Sequence, residues 1–271
     1  VFTRVASGRA EVVRELRAAG PLLAALRAPA TARAPWLTTA LNVRAAVTPV
    51  AVVVERDRQG PPEALAALAL HRRGGTVTAT LLGDGLGPVP PGAPAARLPA
   101  RDDAAAQRLA AGILALLDGH RRPWTLRLTG LPLGDPTLGA LGRLRPDAAF
   151  ANARSSRLVD SLDEAGAVRS SDPHDLERRL PELLARLPDL PSRTFLRAAA
   201  RLHAAIGQLE LAVVADGERV DAALLTLVDG ADRRPWWGFS EVGGLAAEMA
   251  APVVTFRARR GPDLSRRSGR R

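Results

Sequence analysis

Cysteine, lysine and tyrosine are absent from the 271 residues, methionine occurs once, and aromatic residues make up only 3% of the chain. The missing cysteine excludes disulfides and thiol chemistry. The four histidines, His71, His120, His174 and His203, lie far apart with no pair at ligand spacing, so no metal site is expected. Long apolar runs are missing too. No window approaches the roughly 18 unbroken apolar residues of a membrane-crossing helix. The opening Val1-Phe2-Thr3-Arg4 carries no apolar block of the signal-peptide kind. The expectation is a cytoplasmic protein with no membrane insertion.

Apolar residues amount to 46%, enough to pack a core in one large or two medium domains. The net charge of +10 rests on 38 basic residues, every one an arginine. A polyanion is the usual partner of such a charge. Here the excess of alanine, arginine, glycine and proline has a simpler source in GC-rich coding, and nucleic acid is not the expected partner.

The firmest local signal is a hairpin. Two apolar runs, 209–215 and 220–228, are joined across Asp216-Gly217, a pair that supplies the positive φ of a tight turn. Alternation puts Leu209, Leu211, Val213 and Ala215 on one face, with Val220, Ala222 and Leu224 on the returning strand. A helix predicted over 192–206 and stopped by Gly207 feeds into it, after a helix over 172–187 that Pro181 should bend or split. Beyond the hairpin, 235–239 reads as a third strand, 244–250 as a short helix and 252–258 as a last strand.

Upstream, apolar spacing predicts two short helices over 11–28, broken at Gly20-Pro21. A first core strand follows at 46–55. The run 63–70 is helical by propensity, but turn chemistry at Gly60-Pro61-Pro62 and Gly74-Gly75 brackets it, so it reads as a strand, with another at 76–82. Asp102-Asp103 open a helix to 117, 124–129 is a strand, Asp135 caps a helix to 144, and 148–158 is a further strand. The polar stretch 160–171 reads as a linker. An α/β protein with a mixed α+β sheet results, in two parts, 1–159 and 160–258, with a basic disordered tail at 259–271.

Motifs of high specificity do not occur. Gly83-Asp84-Gly85-Leu86-Gly87 falls short of a dinucleotide fingerprint, because the third glycine comes one place early and Pro88 stands where a helix should open. It reads as a structural turn. Ser240 lies in Gly238-Phe239-Ser240-Glu241-Val242-Gly243, one residue out of step with a nucleophile elbow. Trp236-Trp237 on a strand should place one ring in the core and the other at a surface or interface.

The stretches 50–70 and 211–227 share a rhythm of apolar strand, glycine-containing turn and apolar strand, each after helical sequence. Two similar hairpin-centred modules are expected. Trp36-Leu37, the strand pair ending at Leu70-His71, the run 81–87, the run 124–128 with Leu131-Pro132 and Asp135-Pro136-Thr137-Leu138, and 195–227 carry a further likeness. On them the chain resembles GNAT-like acyltransferases of the cellulose-biosynthesis-protein (CelD/BcsL) type. The resemblance implies tandem GNAT-like modules and an acyl-CoA-dependent N-acyltransferase, with acetyl-CoA or a longer acyl-CoA as co-substrate and an amine as acceptor. That family binds the pyrophosphate with an Arg/Gln-x-x-Gly-x-Gly/Ala loop at a helix N-terminus, and no copy of it stands here. Gly243-Gly244, ahead of the short helix, is the substitute cofactor-binding loop. With tyrosine and cysteine absent, Glu241 and His203 are left as candidate catalytic residues. The departures support an alternative, a degenerate or truncated and catalytically inactive GNAT-like binding or scaffold protein.

Overall fold

Runs that are apolar at every position, rather than at alternate ones, become the middle of a sheet with both faces covered. In the computed structural model, which describes residues 2–44, 46–57, 60–90, 97–217 and 219–261, such runs organise the molecule. The chain runs β1 (Phe2–Ser7), α1 (Arg9–Ala18), α2 (Gly20–Ala25), α3 (Ala34–Val43), β2 (Thr48–Glu55), β3 (Pro62–Arg73), β4 (Thr76–Leu81), α4 (Asp103–Asp118), β5 (Trp124–Pro132), α5 (Pro136–Leu144) and β6 (Ala149–Asp160). It continues through β7 (Val168–Ser170), α6 (Pro173–Ala185), α7 (Leu190–Ala205), β8 (Leu209–Asp216), β9 (Arg219–Asp229), β10 (Asp232–Ser240) and β11 (Leu245–Arg260). Among the described residues no helix is long and apolar enough to cross a membrane.

Seven strands form one sheet in the order β1-β2-β3-β4-β5-β11-β6, and four form a second, β10-β9-β8-β7. Neighbours are antiparallel except β4 and β5, which run parallel from Val77 opposite Trp124 to Thr80 opposite Arg127 and then separate. One plan occurs twice: strand, helices, then three strands, laid side by side as β1-β2-β3-β4 and as β7-β8-β9-β10. The repeat expected from 50–70 and 211–227 is β2–β3 against β8–β9. One core joins the modules, with Leu16, Trp36 and Leu41 of the first packed in the same cluster as Leu180, Phe195 and Leu225 of the second. A separate core beneath α4 and α5 covers the other face of the large sheet.

Several expectations are corrected. The helix expected over 244–250 is the start of β11, a 16-residue strand inserted between β5 and β6. Its alanines favour a helix, but Gly244 enters at φ 80°, Pro252 cannot continue one, and the edge of β6 pairs Leu245 to Met249 with Asp160 to Ser156. The division at 159/160 is therefore not a division between sheets. The linker 160–171 is structured: Leu162 is fully buried in a 3-10 turn, and β7 pairs with β8. Arg259 and Arg260, assigned to the tail, pair with Thr125 and Trp124; 262–271 lie outside the described residues. Pro181 sits on the exposed side of α6 without dividing it. In the β8–β9 hairpin a bulge opposite Val214 and Ala215 shifts the alternation. Ala223, Leu225 and Leu227 thus join Leu209 and Leu211 in the main core, while Ala222 and Leu224 face the other way. The edge strand β1 and the helix α3 had no counterpart in the sequence reading.

Candidate functional site

The residues nominated from sequence do not come together. Glu241 is exposed and bonded to Arg186 and Arg219, each at 2.7 Å. These two guanidiniums hold its carboxyl below the usual range, Arg186 foremost. It ties β10 to α6 and β9 as a surface ion pair. Gly243 and Gly244 turn the chain at φ 86° and 80°, but they lead into a strand, so no helix N-terminus stands behind them to meet phosphate. His203 is buried in α7, its ring 6.2 Å from that of Trp36. Neither ring nitrogen has a hydrogen-bond partner. Burial pushes its pKa down to about 4, opposed by the nearby Gln208 side chain. Among the described residues no group of His, Asp and Glu is placed to hold a metal ion.

The cleft lies where β4 and β5 part. Beyond Thr80 and Arg127 the ladder stops, and among the described residues β5 keeps a strand partner only on its other side, β11. The gap opens into an apolar hollow of about 330 Å³, lined by Trp36, Leu37, Leu65, Leu82, Val89 and Gly130 among others. That is the small end of ligand sites, which span roughly 300–1,000 Å³. Its charged lining residues are Asp84 and Arg97. Thr129 Oγ1 of β5 donates to Asp84 Oδ1 at 2.7 Å, and Arg127 Nη2 stands 3.9 Å from the other carboxylate oxygen. Asp84 is thereby fixed across the mouth of the parting strands. On the neighbouring surface His71 Nε2 lies 3.5 Å from Thr80 Oγ1. Burial lowers the His71 pKa, with Arg44 adding to the effect and Asp84 opposing it.

The loop after β4 turns through Gly83, Gly85 and Gly87, all at positive φ, a backbone that side chains resist. At Gly87 space is as restrictive as φ, since a β-carbon there would lie 2.5 Å from Phe195 Cδ1 of α7. The same loop is held from β10, where Trp236 Nε1–H donates to the Pro88 carbonyl at 2.8 Å. Trp36 lines the cleft with one side and meets Phe195 and Trp236 with the other, ring centres 5.0 and 5.3 Å away. Trp236 is the buried ring of its pair, and Trp237 lies partly exposed beside Phe239. The second module thus supports, from behind Trp36, a cleft lined by the first.

A second hollow, of about 340 Å³, shares Arg97 and Pro99 with the cleft and reaches Asp135 at the start of α5. Asp84 escaped the sequence reading because Gly-Asp-Gly after a strand looks like any turn. Its partner Thr129 lies 45 residues away, and a parallel strand pair leaves no local signature.

No family model matches the sequence, and no curated protein is matched either. Among solved structures the chain is similar to a tandem GNAT protein from the clavulanic acid biosynthesis pathway, at 16% identity and TM-score 0.46, over 97% of this chain and 100% of that one. It is also similar to a GCN5-related N-acetyltransferase from Sphaerobacter thermophilus, at 13% identity and TM-score 0.33, over 97% and 98%. A conserved protein of unknown function from Enterococcus faecalis follows at 9% identity and TM-score 0.37, over 94% and 72%. At these values no likeness assigns the chain to a family. The fold is that of a two-module α/β protein with an apolar cleft between parting parallel strands.

Proposed function

We propose that the chain is a GNAT-like N-acyltransferase that holds an acyl thioester, acyl-CoA in the first instance, between β4 and β5 and passes the acyl group to an amine. The observation that carries this reading is the parting of the parallel strand pair β4 and β5 over an apolar cleft with a fixed carboxylate at its mouth. The amide-bearing arm of such a thioester can bond along a free strand edge as an added strand does. The acceptor nitrogen then attacks the thioester carbonyl, the C–S bond breaks, and the thiolate leaves. Asp84 receives the proton lost by the amine. The thiolate takes its proton from solvent, for no tyrosine or cysteine exists in the chain to supply one.

Thermal unfolding with acetyl-CoA and longer acyl-CoAs tests the reading. A ligand at about 100 times its Kd should add roughly 2.7 kcal/mol to the stability. No shift with any of them rejects it. A second reading, an inactive binding or scaffold protein, is favoured by one feature: the helix after the cleft, α4, has its N-terminus filled by the Asp102 side chain. Stabilisation by a thioester with no thiol released across a panel of amines would support that alternative.

A further inference from the structure

The helix α5 opens at the neighbouring hollow, and α4 begins three residues after Ala100, which lines the same hollow; neither has a free N-terminus. At α4, Asp102 accepts from the Ala105 N–H at 2.8 Å, and Asp103 adds a second carboxylate in the first turn. At α5, Asp135 accepts from Leu138 N–H at 3.0 Å and from Leu98 N–H at 3.4 Å. A helix N-terminus takes phosphate because its N–H groups are unpaired and its dipole uncompensated. Here carboxylates already answer both. The arginines around α4 are engaged as well. Arg101 bridges Glu63 at 2.6 Å and Asp102 at 3.0 Å, and Arg56 and Arg108 reach the same Glu63 at 3.2 and 3.4 Å. Arg97 is the cation that lines both hollows among the described residues. Its Nε is buried with no partner, and its Nη1 donates to the Leu26 carbonyl at 3.3 Å.

We propose that the donor is recognised as an acyl thioester of phosphopantetheine, through its arm and a single phosphate at Arg97, and that the remainder of coenzyme A, its second phosphate and nucleoside, adds no affinity. This rests on the thioester reading of the cleft. A second phosphate would stand before the carboxylates of α4, whose neighbouring Arg56, Arg101 and Arg108 are already paired with Glu63 or Asp102. The apolar lining and the free edge of β5 suit the arm, which is uncharged and carries amides.

Calorimetric titration of the full chain with acetyl-CoA, S-acetyl-4′-phosphopantetheine and S-acetylpantetheine tests it. The first two should bind within about threefold of one another, and removing the phosphate should weaken binding about tenfold, a difference that R97Q abolishes. In the double variant D102S/D103N, where serine still caps the helix, acetyl-CoA should become the tighter ligand by about tenfold. Acetyl-CoA binding ten times or more tighter than the phosphopantetheine thioester in the unmodified chain would overturn the proposal while leaving the thioester reading intact. An affinity ratio unchanged in the double variant would overturn the carboxylates as its cause. Binding of none of the three would overturn the thioester reading and the proposal with it.

Discussion

At the scale of single residues, two groups carry measurable consequences. Asp84 is fixed by Thr129 at 2.7 Å, and D84N keeps the shape while removing the proton acceptor. Thiol release from acetyl-CoA with reactive amines should fall by about a hundredfold or more, with acetyl-CoA affinity little changed; an unaltered rate would remove Asp84 from the mechanism. His203 concerns stability. Its folded pKa of about 4 lies below the ordinary 6.5, so between these values the unfolded chain binds more protons than the folded one. Stability should therefore hold above pH 6.5 and decline as pH falls towards 4, by roughly 3 kcal/mol in all. Chemical denaturation at pH 7, 5.5 and 4 checks this, and H203L should flatten the slope. Asp135 was legible as a cap, and Asp102-Asp103 as an acidic helix start, from sequence alone, because such signals act within three residues. Asp84 and His203 were not legible in their surroundings, because their neighbours come from distant elements.

At the scale of elements, the loop after β4 depends on α7 and β10. G87A combines a positive φ with a β-carbon 2.5 Å from Phe195 Cδ1, and should cost about 2–3 kcal/mol. At G85A the φ is also positive but the nearest atom is Arg44 Nη2 at 3.6 Å, so about 1 kcal/mol is expected. Equal losses in urea unfolding would show that Phe195 does not constrain the loop. W236F removes the donor to Pro88 and should cost about 1 kcal/mol. The strands β2, β3, β5, β8 and β9 and the helices α4 to α7 were foreseen, since each is apolar at its own period or bracketed by turn residues. The misread stretch, 244–250 at the start of β11, has alanines that prefer a helix, and its ladder partners lie at 156–160 of β6. Pairing with β6, in one continuous strand with the residues that also pair with β5, outweighs a propensity of a few tenths of a kcal/mol per residue.

At the scale of the whole molecule, the first and last described strands, β1 and β11, belong to one sheet. A fragment of residues 1–159 lacks β11 and so loses the strand that joins β5 to β6. It also lacks the second-module residues that share a core with Trp36 and Leu41. The fragment should show no cooperative transition by circular dichroism on heating, whereas the full chain should unfold in a single step. A sharp transition for the fragment would mean that the first module stands alone. The shared core also explains the position of the cleft, whose lining comes from the first module and whose support comes from the second.

The sequence by itself determined the α/β class, the repeated hairpin, most helices with their caps, and the exclusion of thiol chemistry. These follow from local periodicity, turn chemistry and composition, which act within a few residues. Tertiary structure alone decided the parallel meeting of β4 and β5, the place of β11, and the joining of Asp84 to Thr129. Those depend on which edges remain unpaired once the core has formed, and that competition is between segments far apart in the chain.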